Sequence, residues 1–538
     1  MIKRKFYLKK ISFLFIFAFI FPLFIFGQNV KESELFFVDS QFDLLKRNKI
    51  AAKLMKISKN AYFFVDNDFL ASLSFSQRKN LESILESLSW EFDNFIYPRL
   101  TSFFGSEPKP GIDQDERIFV LFHQMTSQVS GYFREKDGFF KFQFPDSNQK
   151  EILYLSIKSL DLDFLKSRLS HEFLHLISFN QKKKIQGVDD EIWLEEMRAE
   201  MAPVFLGYDF SFSERTKDFL SFPQISLIDW NQSLANYGIA FLFGVYLTEN
   251  YGFDILASSL KTNKTGIESL DDFLIKKGYQ ERTTDVFHNF LITLFLNDCS
   301  YGSNFCFKNE KLKNFKMLPQ DIFLPQNQES VITLFNQLAS FSGNWQRIFG
   351  GNDLKIEFQA GDSKFNLSYL LCKNYRGCQI KNFPLQNNQK IQFSFPDFGK
   401  ENYFLIFITS LAEKTLKRTN FSLVISSSQN NFSFFPPSNN TSNVSLPKIS
   451  CQKITRNLFL GQRGPEVSCL QEFLKLQGPE IYPEGLVTGY FGPLTKRAVV
   501  RFQEKYWQEI LKPWGLTKGT GFVGQTTRAK IEQLLSNF

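Results

Sequence analysis

The chain has 538 residues, which is too many for a single hydrophobic core and indicates several domains. Its formal net charge of +8 is modest for this length. The composition therefore makes no case for a nucleic-acid partner, although it suits attraction to an anionic cell envelope. Phenylalanine is abundant, with 66 residues, which we interpret as compositional bias rather than as a functional aromatic surface.

The N-terminal segment, residues 1–27, has the form of a signal peptide. Lysines and an arginine between Lys3 and Lys10 precede an apolar run from Ile11 to Phe26, and Gly27 offers a small residue for cleavage. This run is shorter than the roughly 20 residues of a membrane-spanning helix. We therefore expect a secreted or cell-envelope protein, with membrane attachment only if the segment stays uncleaved.

Residues 28–59 are interpreted as an N-terminal extension or a propeptide, and an α+β domain is predicted over residues 60–319. Apolar runs predict its strands at 61–65, 117–122, 130–133 and 151–156, and a spaced apolar pattern predicts a helix at 81–97. The later part of this domain reads as helices. Strands followed by helices are typical of an α+β fold.

Asp113 and Asp115 lie in the turn ahead of the strand at 117–122. Their spacing allows a Ca²⁺ site, but the other oxygen ligands of a calcium loop are not recognisable. A solvated turn is therefore the preferred interpretation.

A zinc-binding pattern follows in the segment His171-Glu172-Phe173-Leu174-His175. Residues four apart lie on one face of a helix, so both imidazoles can bind one Zn²⁺ ion. A catalytic zinc takes three protein ligands and keeps one open position, so a third ligand must come from elsewhere. Glu196 is the best candidate, with its neighbour Glu195 as the alternative carboxylate.

Three further residues receive roles from their positions. Glu172, beside the first histidine, is the expected general base for the attacking water. Glu200 lies one helical turn after Glu196 and can hydrogen-bond a ligand imidazole from behind. Tyr237, near the start of a predicted helix at 239–251, is a candidate oxyanion stabiliser, with a simply packed tyrosine as the alternative.

A chance occurrence of this short histidine pattern is the alternative to a metal site. The chain has only four histidines, and two of them fall in the pattern, which favours zinc. The other two, His123 and His288, lie in apolar surroundings and are expected to be core histidines.

The segments SHEFLHLISFNQ (170–181) and WLEEMRAEMAPVFLGYD (193–209) resemble the hyicolysin family of secreted zinc metallopeptidases, within the thermolysin-like gluzincin group. The resemblance covers about residues 60 to 300. It implies a zincin-like metallopeptidase domain with His171, His175 and Glu196 as zinc ligands. It also implies that Glu172 is the catalytic acid/base, that Glu200 is the supporting acid, and that an edge strand at 130–133 pairs with extended substrate.

The six cysteines fall into three sequence-local pairs: Cys299 with Cys306, Cys372 with Cys378, and Cys451 with Cys469. No pair has the CxxC spacing, and no pair lies beside a histidine. In an exported chain, this arrangement predicts structural disulfide bonds rather than redox or metal chemistry.

Residues 320–425 show short alternating runs, such as 354–358 and 390–395, that predict a β-sandwich accessory domain. A substrate-binding module and a simple spacer are equal alternatives for its role. Residues 426–449 are rich in serine, asparagine and proline, and predict an extended linker.

Residues 450–538 contain repeated helix-start signals. Pro465 and Pro493 each follow a glycine and can occupy the first position of a helix, and a third helix is predicted after Gly524. The three short helices resemble the small peptidoglycan-binding domain of bacterial wall enzymes. Tyr490 and Arg497 are candidates for contact with sugars or stem peptides, or they only stabilise the turn.

These features predict an enzyme: an exported zinc-dependent endopeptidase that hydrolyses protein or peptide substrates and is held at the cell wall by its C-terminal domain. One alternative is a hydrolase of peptidoglycan stem peptides or crossbridges. Another is a non-catalytic envelope-binding protein, against which the intact histidine pattern and Glu196 argue.

Overall fold

The computed structural model describes residues 31–127, 129–208, 212–325, 329–373, 376–400, 403–415, 417–428, 454–460, 462–478, 480–483, 485 and 487–535. The predicted signal peptide and nearly all of the predicted linker lie outside these residues. Among the helices that are described, none combines the length and apolar character that crossing a bilayer requires. The chain divides into two compact units: residues up to 94 with 108–162, and residues 95–107 with those from 163 onward.

The described residues of the first unit form a six-stranded mixed sheet with two α-helices. Its elements are β1 (Ser33–Phe37), β2 (Lys49–Ile57), β3 (Ala61–Asp66), α1 (Asn67–Ser72), α2 (Phe75–Glu91), β4 (Ile118–His123), β5 (Gly131–Phe133) and β6 (Ile152–Ser156). The strand order is β1-β2-β3-β4-β6-β5. The parallel strands β3, β4 and β6 are completely buried, which agrees with their continuous apolar runs.

The sheet of the first unit extends to the N-terminal side of the boundary predicted at residue 60. Strands β1 and β2 pair with each other, and β2 pairs with β3, so the described part of the predicted extension belongs to the sheet. Strand pairing joins distant residues, and the weak turn signals of this segment did not reveal it. The predicted short strand is β5, which lies at the sheet edge antiparallel to β6; its pairing with substrate stays a prediction.

Three polar side chains that the sequence singled out in this unit have hydrogen-bond partners: Asp113, Asp115 and His123. The carboxylate of Asp113 accepts a hydrogen bond from the backbone N–H of Asp115 at 3.0 Å, and the carboxylate of Asp115 accepts one from the Tyr62 hydroxyl at 2.8 Å. These bonds hold the turn, and the calcium alternative stays untested. His123 is buried between Asp43 and the Tyr132 hydroxyl, each at 3.2 Å, which confirms a core histidine.

The second unit begins with helices. They are α3 (Tyr97–Phe104), α4 (Leu162–Ser178), α5 (Ile192–Leu206), α6 (Phe212–Ser221), α7 (Leu234–Tyr251), α8 (Asp254–Leu260), α9 (Gly266–Lys276) and α10 (Thr283–Leu296). The polar residues of 181–190, together with Gly187, predict a connecting loop, but a π-helical turn, Phe179–Ile185, continues α4 into this segment. The polar residues of this segment suggest exposure to solvent, but Lys182 is buried. Its ammonium donates hydrogen bonds to the carbonyls of Ser259 and Thr262 at 3.0 and 2.9 Å.

In the part of the next domain that the structure describes, there are nine strands. They are β7 (Gln320–Leu324), β8 (Ser330–Leu338), β9 (Asn344–Gly350), β10 (Leu354–Ala360), β11 (Phe365–Lys373), β12 (Arg376–Leu385), β13 (Lys390–Phe395), β14 (Tyr403–Leu411) and β15 (Thr419–Ser427). They make a four-stranded sheet, β13-β10-β15-β8, and a five-stranded sheet, β12-β11-β14-β9-β7. One apolar core draws residues from both sheets, which is the arrangement of the predicted β-sandwich.

Two of the three predicted disulfides are confirmed, Cys299–Cys306 and Cys372–Cys378. The second joins directly paired residues of β11 and β12. Cys469 is buried on a C-terminal helix, and its predicted partner Cys451 lies outside the described residues.

The C-terminal domain has its own apolar core. Its helices are α11 (Pro465–Leu476), α12 (Pro493–Lys505), α13 (Trp507–Ile510) and α14 (Gln525–Leu535). The three predicted helices are present, and α12 and α11 begin at the prolines that the sequence indicated. The short α13 is an addition to the prediction.

Candidate metal centre

Two imidazoles meet on one face of α4. His171 and His175 are separated by one helical turn, and their Nε2 atoms lie 3.2 Å apart. The helix is held by apolar residues around them, including Leu169, Phe173 and Leu176, which are almost completely buried. The repeat of α4 therefore aims both ring nitrogens at the same point, as expected for residues four apart.

Glu196 on α5 brings a carboxylate to this point. Its Oε2 atom lies 3.7 Å from Nε2 of His171 and 3.6 Å from Nε2 of His175. One donor atom from each residue falls within 4.8 Å of the others, and this is the one group of at least three such side chains found within the described ranges. Glu195 is not part of it. These three residues could hold a metal ion.

The charges of the three groups depend on each other. Burial raises the pKa of Glu196, but the imidazoles of His175 and His171 lower it by a larger amount, so the net pKa is well below the usual value. Burial lowers the pKa of His175, while Glu196 raises it, and the balance brings it to about 9. The carboxylate at this point is therefore ionised at neutral pH.

Glu172 adds a second buried carboxyl group beside the first. Burial raises its pKa, and the nearby imidazoles of His171 and His175 oppose that rise, so the net pKa is above the usual value. A carboxyl group whose pKa is shifted towards neutrality can both accept and donate a proton. The position suits general acid–base chemistry.

Glu200 lies behind His171 but is not hydrogen-bonded to it. Its Oε1 is 3.6 Å from Nδ1 of His171, which is too long for a hydrogen bond, and this Nδ1 has no hydrogen-bond partner among the described residues. Arg215 on α6 donates instead to both oxygens of Glu200, at 3.0 and 2.8 Å. Burial raises the pKa of Glu200, but Arg215 brings it down to about 2.

Tyr237 lies in the first turn of α7, close to the same charged groups. The guanidinium carbon of Arg215 is 5.1 Å from the centre of its ring, and the Trp230 ring meets it edge-on at 5.1 Å. Burial, with Glu196 and Glu200, raises the pKa of Tyr237 well above its usual value. The phenol therefore keeps its proton and can act as a hydrogen-bond donor.

A glycine allows α6 to approach α7 at this place. A Cβ atom on Gly238 would lie 2.4 Å from the backbone nitrogen of Phe219 and 2.8 Å from the carbonyl oxygen of Arg215. Any larger residue would separate the two helices. Gly238 thus lets α6 hold Arg215 against both Glu200 and Tyr237.

The sequence did not indicate Arg215 or Trp230. Arg215 is 15 residues from Glu200 and on another helix, so no periodic pattern connects them. The only local signal was the spacing of Arg215 and Asp218, three residues apart on a helix, which form an ion pair at 3.1 Å. Among the predicted residues, His171, His175, Glu196, Glu172, Glu200 and Tyr237 are brought together.

His288 is not part of this group. It is buried on α10, and its ring nitrogens contact the hydroxyls of Ser410 and Ser368 at 2.8 and 2.7 Å. Burial lowers its pKa to about 3. The prediction of a core histidine is confirmed.

The family model described as a peptidoglycan binding domain matches residues 463–531. The match covers the C-terminal domain alone. It agrees with the resemblance noted from the helix-start signals and supports association of the chain with the cell wall through this domain. No curated protein matches the chain.

Similarities to solved structures are weak. The mitogen from Yersinia pseudotuberculosis is 12% identical, over 19% of this chain and 91% of that chain, with a TM-score of 0.15. The surface-associated copper-binding protein CorA of Methylomicrobium album BG8 is 8% identical, over 20% and 98%, with a TM-score of 0.14. The pre-peptidase C-terminal domain of Bacillus anthracis collagenase is 7% identical, over 20% and 98%, also with a TM-score of 0.14. At these scores they support no statement about fold or function.

Proposed function

We propose that this protein is an exported zinc-dependent endopeptidase, held at the cell wall by its C-terminal peptidoglycan-binding domain. The observation that carries the proposal is the convergence of donor atoms from His171, His175 and Glu196 within 4.8 Å. The resemblance of the surrounding segments to hyicolysin-like metallopeptidases, of the gluzincin group, supports the same conclusion.

The distances between donor atoms suit zinc. Ligand atoms at about 2.0–2.1 Å from a tetrahedral zinc lie about 3.3–3.4 Å from each other. The distances here are 3.2, 3.6 and 3.7 Å, so small side-chain adjustments would suffice. Two imidazoles and one carboxylate also form a known ligand set of catalytic zinc sites, which keep a fourth position open.

Zinc held by these residues would supply Lewis acidity, which polarises a peptide carbonyl and acidifies water. Glu172 would accept a proton from the attacking water as the water oxygen bonds to the carbonyl carbon. It would then deliver that proton to the amine nitrogen as the carbon–nitrogen bond breaks. The Tyr237 hydroxyl would donate a hydrogen bond to the oxygen that gains negative charge. Glu200 and Arg215 would support His171 from behind.

Zinc content and proteolysis measured on the same samples test this proposal. We expect about one zinc per wild-type chain. Glu172→Gln should keep the zinc and lose at least roughly a hundredfold in hydrolysis, as for removal of a general acid–base group. Glu196→Ala should lose zinc and activity together. Wild-type activity without zinc, or unchanged hydrolysis by Glu172→Gln, would contradict the mechanism.

The peptidoglycan-binding domain favours a second candidate function, in which the same centre cuts stem peptides or crossbridges of the wall. Casein and purified sacculi incubated in parallel with the zinc-loaded protein distinguish the two. Release of amino groups from sacculi alone would favour the wall hydrolase. Zinc-loaded protein that cleaves neither substrate would favour a non-catalytic envelope-binding protein.

A further inference from the structure

The C-terminal domain contains a repeat of 32 residues. Residues 488–495 read TGYFGPLT, and residues 520–527 read TGFVGQTT. Gln471 precedes the first turn, and its buried side chain holds it. Its Oε1 accepts hydrogen bonds from the backbone N–H groups of Thr488 and Gly489 at 2.7 and 2.8 Å, and its Nε2 donates to the carbonyl of Tyr490 at 2.9 Å.

Gln503, 32 residues after Gln471, holds the second turn in the same way. Its Oε1 accepts from the N–H groups of Thr520 and Gly521 at 2.8 and 3.0 Å, and its Nε2 donates to the carbonyl of Phe522 at 2.8 Å. The repeat therefore gives Tyr490 and Phe522 equivalent positions, each fixed by three hydrogen bonds from a buried glutamine.

The segment before α11 bridges both turns. Leu458 exchanges two backbone hydrogen bonds with Val523, at 3.2 and 2.8 Å, while Arg463 pairs with Tyr490 in a second bridge. Each bridge places one side chain of the segment beside a ring of the repeat: Phe459 beside Phe522, and Arg463 beside Tyr490. We name these four residues the aromatic ridge.

The first pair of the aromatic ridge is an apolar plate. The rings of Phe459 and Phe522 are stacked, with centres 6.0 Å apart and planes at 18°, yet they are 46% and 41% exposed. Backbone pairing fixes them in place at the surface, outside the buried core. Such a fixed, exposed aromatic plate is a typical contact for a flat ligand with C–H groups on its face, as a sugar ring has.

The second pair presents a positive charge. The guanidinium carbon of Arg463 lies 4.3 Å from the centre of the Tyr490 ring, which orients the exposed side chain by a cation–π contact. Among the described residues, no salt bridge is found for Arg463. Its planar fork of donors matches a carboxylate. Arg463 follows Phe459 by four positions, so their Cα atoms are at most about 14 Å apart.

We propose that the aromatic ridge is the surface by which the C-terminal domain contacts peptidoglycan. The ring plate of Phe459 and Phe522 lies against a sugar of the glycan strand, and Arg463 pairs with a free carboxylate of a stem peptide. Peptidoglycan carries both groups at close spacing, since each stem peptide is attached directly to a sugar. This inference rests on the wall attachment in the proposed function and adds the residues that make the attachment.

Cosedimentation of the full-length protein with purified sacculi tests the proposal, with every variant in the Glu172→Gln background so that the sacculi stay intact. The main comparison is Arg463→Glu against Lys475→Glu. Lys475 is also exposed, and its substitution by glutamate changes the charge by the same amount. It lies ten residues after Pro465, the first residue of α11, which is about 15 Å along the helix. The second variant is Phe459→Ser with Phe522→Ser.

We expect Arg463→Glu to bind roughly tenfold more weakly, the loss typical of one charge-assisted contact, while Lys475→Glu stays within about twofold of the parent. The phenylalanine variant should also weaken binding. Glycan strands stripped of stem peptides, with the lactyl carboxylates exposed by that step converted to amides, should bind the parent protein and Arg463→Glu equally weakly, because no carboxylate partner is then present.

Parent-like binding by Arg463→Glu, or equal weakening by both charge variants, would overturn the proposal. The charge variants decide it even if the phenylalanine variant unfolds, because both residues are exposed. Failure of the parent protein itself to bind sacculi would instead contradict the proposed wall attachment. The two failures are therefore distinguishable.

Discussion

At the scale of single residues, Arg215 connects the parts of the candidate metal centre. It makes a two-pronged pair with Glu200, which lies behind His171, and its guanidinium lies against the ring of Tyr237. All of these groups are buried or half-buried, so their interactions are only weakly screened by solvent. A single side chain thus influences a proposed ligand and the proposed oxyanion donor together.

We expect Arg215→Met to weaken zinc binding by roughly 10- to 100-fold, as is typical when a group that supports a metal ligand from behind is removed. Arg215→Lys should retain part of the affinity, because it keeps the charge but not the two-pronged geometry. Competition with a chromophoric chelator gives the affinity.

Arg347→Met is the matched control, because Arg347 makes a similar two-pronged pair with Asp321 in the β-sandwich, at 2.7 and 3.1 Å. Its zinc affinity should equal that of the wild type. An unchanged zinc affinity in folded Arg215→Met would show that Glu200 needs no such support.

At the scale of elements, the close approach of α6 and α7 decides where Arg215 lies. The approach depends on Gly238, whose missing side chain leaves room for the backbone of α6. Helix α7 also passes α5 at Gly244, where the neighbours are the flexible side chains of Met197 and Met201. The two glycines of α7 therefore face different obstacles, one rigid and one adaptable.

Gly238→Ala should lower the free energy of unfolding by about 1–3 kcal/mol through overpacking, despite the roughly 1 kcal/mol that alanine gains in helix propensity. It should also weaken zinc binding, because Arg215 moves with α6. Gly244→Ala is the control and should cost less, since methionine side chains can adjust. Urea denaturation measures the free energy of unfolding of both variants. A Gly238→Ala protein as stable as the wild type would mean that the helices separate without cost.

At the scale of the whole molecule, the β-sandwich packs directly on the helices of the second unit. The indole of Trp345 donates to the carbonyl of Leu291 on α10 at 3.0 Å, and the N–H of Leu227 donates to the carbonyl of Phe341 at 2.9 Å. His288 is buried in the same contact, bonded to two serines of the sandwich. These contacts argue against the interpretation of the β-sandwich as a simple spacer.

His288 should make this contact sensitive to acid. Its pKa is about 3 in the folded protein, against 6.5 for an ordinary histidine. Between these values the unfolded chain binds one more proton than the folded chain, so stability falls as the pH drops from 6.5 towards 3. The contribution is about 1.4 kcal/mol per pH unit.

His288→Gln should lose this part of the pH dependence. Free energies of unfolding from urea titrations at several pH values between 4 and 7 measure it, and the difference between variant and wild type isolates His288 from the carboxylates that titrate in both. Identical pH slopes would contradict a neutral buried imidazole.

The sequence by itself determined the features that depend on near neighbours. The helical repeat places His171 and His175 on one face, a proline after a glycine begins α11, strict alternation defines β10, and close spacing pairs Cys372 with Cys378. Covalent geometry and short-range sterics determine each of these, so a local pattern is sufficient.

Only the tertiary structure decided which distant residues meet. It selects Glu196 over the adjacent Glu195, brings Arg215 to Glu200, and adds β1 and β2 to the sheet of the first unit. Neighbouring residues on a helix point about 100° apart, so the rotation of α5 about its axis determines which of the two carboxylates faces the histidines. Packing over the whole core sets that rotation, and no local stretch of sequence records it.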